Sequence, residues 1–108
     1  MEISFSSKEL RVICEQQCEA DRQLGESVAR VLRARLTDLF AVERYDDMPL
    51  GNVRIAFIDS EECITIDIKD GVVMCLISGH MNTPRTLAKT IDWAKVSRLK
   101  LVYIGTNL

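Results

Sequence analysis

The chain has 108 residues, with 14 basic and 16 acidic side chains and a net charge of −2. Its hydrophobic fraction of 47% suffices for one packed core, so a single domain over residues 1–108 is expected and a disordered tail is excluded. The acid excess excludes a surface devoted throughout to nucleic acid, and the longest apolar run, Val72–Ile77, is far short of the roughly 20 residues of a membrane-spanning helix.

Glu2–Phe5 reads as a short strand. Ser6 and Glu9 have the spacing of a capping box, and behind them Leu10, Ile13, Cys14 and Cys18 form an apolar stripe at helical period. Leu24-Gly25 interrupts that helix. A second stripe follows in Val28, Val31, Leu32, Leu36, Leu39 and Phe40, so the two helices are expected to pair as a hairpin. Pro49 and Gly51 then end the helical half.

Beyond this turn the period changes to two. Val53, Ile55 and Phe57 alternate in one strand and Ile64, Ile66 and Ile68 in the next, with Asp59-Ser60-Glu61-Glu62 between them. Asp70-Gly71 signals a tight hairpin into Val72–Ile77. That strand is apolar on both parities, which requires cover on both faces. Ser78–Thr90 reads as a loop, Asp92 as the cap of a single turn through Trp93-Ala94-Lys95, and Leu99–Ile104 as the last strand. The expected order is β-α-α-β-β-β-β, with a helical hairpin on one face of a mostly antiparallel sheet, an α+β fold.

Charge is unevenly placed. Residues 41–70 carry eight acidic and three basic side chains, whereas residues 71–108 carry one acidic and five basic ones. Arg85, Lys89, Lys95, Arg98 and Lys100 are therefore the candidate contacts for phosphate or for an acidic partner. His80, the one histidine, is the candidate for proton transfer. Asp46-Asp47 and Glu61-Glu62 read as solvated acids, because neighbouring side chains diverge, and Trp93 reads as core. Cys14, Cys18, Cys63 and Cys75 read as packed thiols, since Cys63 and Cys75 have no near partner in a zinc-site spacing. No metal or organic cofactor is expected. The N-terminus lacks a basic start followed by an apolar stretch, which makes a cytoplasmic location the expectation.

Three segments together resemble a known family. Met-Glu-Ile-Ser-Phe-Ser-Ser-Lys-Glu-Leu at the start, Met48-Pro49-Leu50-Gly51-Asn52, and Ile91-Asp92-Trp93-Ala94-Lys95-Val96-Ser97-Arg98 are similar, in order and spacing, to the RelE/ParE toxin superfamily, nearest its HigB-like "killer protein" branch. The resemblance implies a toxin of a bacterial type II toxin–antitoxin pair. It also implies a small helix-turn-helix antitoxin as partner and, in the ribonuclease members, cleavage of ribosome-bound mRNA; the ParE branch inhibits DNA gyrase instead. His80 matches a loop histidine of the branch and Arg85 a basic residue after the loop proline, so these two are the implied catalytic pair.

This chain departs from the family elsewhere. It has Asp59-Ser60-Glu61-Glu62 where a basic hairpin is common, Val73-Met74 where a Tyr-Arg step is usual, and Thr106-Asn107-Leu108 in place of an Asp-Tyr-His ending. One lost phosphate clamp typically costs about 10²–10³ in rate, so cleavage is expected to be weakened or lost. The parity of Val72, Met74 and Leu76 suggests an apolar face for an antitoxin-like chain or a second copy of this one. A non-catalytic interaction module is the alternative expectation.

Overall fold

Alternating side chains and two tight turns build the sheet. The computed structural model describes residues 1–106, and its five strands are β1 (Glu2–Phe5), β2 (Arg54–Ile58), β3 (Glu61–Lys69), β4 (Val72–Ser78) and β5 (Arg98–Gly105). They lie in the order β1-β5-β4-β3-β2, with β1 parallel to β5 and every other pair antiparallel. Three helices, α1 (Lys8–Glu15), α2 (Gln17–Leu24) and α3 (Glu26–Ala41), fill the segment between β1 and β2. The α+β class is as expected.

Asp70-Gly71 makes the expected hairpin, with φ values of 54° and 80°. Asp59 and Ser60, at 49° and 68°, make a second one of the same kind. Two successive left-handed residues are what a type I′ turn demands. The β2–β3 connection is therefore shorter than the four residues read from the sequence, and Glu61 and Glu62 belong to β3.

The helical half differs at three points. Ser7, one residue after the expected Ser6, caps α1, and its Oγ accepts from Leu10 N at 3.2 Å. Gln16 is extended (φ −113°, ψ 109°) and breaks the first helix in two. The break takes Cys18 off the line of Ile13 and Cys14, leaving it exposed and burying Ala20 in its place. Phe40, at the end of the second stripe, is 55% exposed at the rim of a groove shared with Ile3 and Phe5 of β1, while Ala29 is fully buried. Gly25, with φ 87°, joins α2 directly to α3.

All three helices lie on one side of the sheet. Leu32, Leu36 and Leu39 of α3 share a core with Ile64 and Ile66 of β3, Met74 and Leu76 of β4, and Leu99 and Leu101 of β5. Each such side chain contributes about 1.5–3 kcal/mol by leaving water. Met74 and Leu76 are fully buried and Val72 is half-buried, so this parity of β4 is the inner one and not an interaction face. The strand is apolar on both parities, and periodicity alone does not say which side the helices take.

Trp93 is buried as expected, in a turn through Lys95, and stands edge-on to Tyr45 with ring centroids 6.2 Å apart. Its Nε1 donates to Glu62 Oε1 at 3.4 Å, and Glu62 Oε2 accepts from Ile91 N at 3.3 Å. Glu62 is therefore an anchor for the 84–96 segment, not a solvated acid. Asp92 opens that turn through its carbonyl, which accepts from Lys95 N, and its side chain does not cap it.

Candidate binding surface on the open sheet face

The loop after β4 holds both sequence-predicted catalytic residues, and each has a structural partner. His80 Nε2 accepts from Ser97 N at 3.0 Å and from Arg98 N at 3.3 Å, which pins the loop to the start of β5. A ring nitrogen occupied by two amides can take a substrate proton only by giving them up. Arg85 is exposed, and its Nη1 donates to Lys89 O at 3.0 Å, closing the turn in which Lys89 has φ 67°. Arg85 borders a cleft of about 280 Å³ with Glu61, Glu62 and Thr83, and His80 does not line it. The two are not brought together as a pair.

Of the other basic candidates, Arg98 and Lys95 are each paired with an acid, and Lys100 stands apart from them. Arg98 Nε is 2.9 Å from Glu2 Oε2, and Lys95 Nζ is 3.9 Å from Asp92 Oδ2. Arg98 and Lys95 border a groove of about 770 Å³ together with Glu2, Glu43 and Arg44. Lys100 lies on the opposite parity from Leu99 and Leu101, on the sheet face away from the helices.

That open face carries a feature that charge counting along the sequence missed. Arg54 Nη1 contacts Asp67 Oδ1 at 3.0 Å and donates to Asn52 O at 3.0 Å, while Asn52 Nδ2 donates to Asp67 Oδ2 at 3.2 Å. Gly51 makes the arrangement possible. Its φ of 100° suits glycine, a Cβ there would lie 2.7 Å from Ile66 Cγ2, and its carbonyl accepts from Asp67 N at 2.7 Å. Partial burial opposes ionisation of Asp67, but the hydrogen bonds from Asn52 and Arg54 and the guanidinium charge outweigh it, holding this carboxyl below its usual range. Counting outward from a two-residue Asp59-Ser60 turn pairs Arg54 with Thr65 and sets Asp67 on the next diagonal, so the shorter turn would have disclosed the pair.

Beside Arg54 runs a groove of about 740 Å³, lined by Ala56, Ile58, Thr65, Val102 and Tyr103. In the sheet beneath, Thr65 Oγ1 lies 3.9 Å from both Cys63 Sγ and Cys75 Sγ, and all three residues are fully buried. Desolvation raises the Cys75 pKa, and Cys63 adds to this against the opposing effects of Thr65 and Arg54. Burial thus keeps the Cys75 thiol protonated and makes it a poor nucleophile. Cys14 is half-buried, and burial, reinforced by the neighbouring Glu15 charge, pushes its thiol up to about 12. Among the described residues, no three His, Cys, Asp or Glu side chains converge as a metal site, and no helix is long and apolar enough to cross a membrane.

No protein-family model matches the chain, and comparison with curated proteins and with solved structures likewise returns no match. The surface is therefore read from its own chemistry: an apolar groove, one guanidinium already paired with a carboxylate, a phenol and a lysine.

Proposed function

We propose that this chain is a diverged toxin component of a bacterial type II toxin–antitoxin pair, acting in the cytoplasm through protein binding, with mRNA cleavage weakened or lost. One observation carries the reading. The two residues that RNA cleavage would draw on are engaged within the fold, His80 Nε2 with the Ser97 and Arg98 amides and Arg85 Nη1 with the Lys89 carbonyl. A phosphate approaching Arg54 would meet the Asp67 carboxylate beside it, whereas a protein surface can dock on the groove with that pair intact. The helix-turn-helix antitoxin implied by the family resemblance would cover this face.

The test is induction of the gene alone in a bacterium, followed by growth and by mapping of mRNA ends. Growth arrest with intact mRNA, relieved by the adjacent antitoxin gene, is expected. Fragmented mRNA that becomes intact with His80→Ala would establish the ribonuclease reading instead. Unimpaired growth would establish a non-toxic interaction module.

A further inference from the structure

The two edges of the sheet are protected differently. β1 is four residues long and carries Glu2 and Ser4 on its exposed positions. β2 pairs with β3 in unbroken register, without a bulge or proline, and between Arg54 and Asp59 it reads Ile55-Ala56-Phe57-Ile58. Ile55 is 40% and Phe57 71% exposed, although their β3 neighbours Ile64 and Glu62 are on the helix side. A straight apolar strand with one free edge is a template for another strand.

We propose that β2 is a self-association edge, pairing antiparallel with β2 of a second copy about a two-fold axis at Ala56 and so doubling the five-stranded sheet. A second copy is the occupant because the strand is complementary to itself. The axis at Ala56 sets Ile55 opposite the partner's Phe57 and Phe57 opposite the partner's Ile55, giving two apolar cross-strand contacts on one face. It also lays the basic Arg54 end of each strand along the acidic Asp59 end of the other. Register can slip only in steps of two if the helix sides are to stay together. A step one way draws the two Arg54 side chains closer, and a step the other way draws the two Asp59 side chains closer, so charge favours the register centred at Ala56.

An edge of five residues makes a small interface, and a dimer in rapid exchange follows. The edge borders the open groove, but the growth assay and the measurement below can fail separately. Sedimentation velocity of the full chain, from about 1 μM to about 1 mM, is expected to show the mass rising from 12.2 kDa towards twice that value. Phe57→Asp should raise the dissociation constant at least tenfold while the chain still folds, because Phe57 is mostly exposed in the monomer, although it sets a carboxylate opposite Glu62. Ile55→Lys serves as a second variant should the first misfold. Amide exchange within β2 should slow as wild-type concentration rises, and not in the variants. A wild-type chain that stays monomeric throughout, or a dimer indifferent to both variants, would overturn the proposal; a monomer that gains β2 protection only on adding an antitoxin chain would reassign the edge to that partner.

Discussion

The helix-covered and open faces of the sheet exclude water from β3 and β4 by different means. On the covered face, Ile64, Ile66, Met74 and Leu76 lie in the core they share with α3. On the open face, Cys63, Thr65 and Cys75 are just as fully buried with no helix above them. Their cover comes from within the sheet, where small central side chains are flanked by larger ones such as Arg54 and Tyr103. Burial on the covered face therefore depends on tertiary packing, and burial on the open face on side-chain size across neighbouring strands. A partner docking on the open face would meet a surface already dry at its centre and polar at its margin.

Substitutions can break this contrast, and the largest effect is expected at Met74. Met74→Asp puts a carboxylate into the core and should cost at least about 4 kcal/mol, or abolish folding, in urea denaturation. Val73→Lys, one residue away on the open face and half-buried, should cost within about 1 kcal/mol by the same measurement. Leu32→Ala, a cavity at the centre of α3, should lose about 2–5 kcal/mol. Gly51→Ala should lose about 1–3 kcal/mol, since it combines a positive φ with a contact into Ile66.

The smaller effects sharpen the account of the open face. The Asp67 pKa is depressed in the folded chain, so its contribution is present above the unfolded carboxylate value and is lost as pH falls through the folded one. With both side chains more than 40% exposed, the Arg54–Asp67 pair should contribute less than about 1 kcal/mol. Asp67→Asn should flatten that acid-side loss in a pH series of unfolding midpoints. Alkylation followed by mass spectrometry should modify exposed Cys18 well before Cys14, whose thiol remains protonated at neutral pH. Equal rates would contradict the burial of Cys14.

The α+β layout was legible because its cues are local. Period-two alternation in Ile64-Thr65-Ile66, the Asp70-Gly71 turn and the stripe through Leu32, Leu36 and Leu39 each depend on neighbouring residues. The break at Gln16 was not legible, since no proline or glycine marks it and both halves continue in helix-forming residues. The inner parity of β4 was hidden because Met74 and Cys75 are both apolar and both buried. At the site, His80 and Arg85 were legible as chemically able residues, but the backbone groups that occupy them come from Ser97, Arg98 and Lys89 through loop geometry. Glu62 was misread because its partners, Trp93 and Ile91, are remote in sequence.

The parallel seam between β1 and β5 ties folding to the order of synthesis. Ile3 is in register with Leu99, and Phe5 with Leu101, so β1 has its neighbour in a strand synthesised long after it. Closing so long a loop is entropically slow, and contacts of this kind form late. On a translating ribosome, the β2–β3–β4 meander can assemble from consecutive residues, while β1 waits with Ile3 and Phe5 uncovered. The emerging chain would then pass through a stage at which the apolar side chains of β1 are the ones a chaperone could hold.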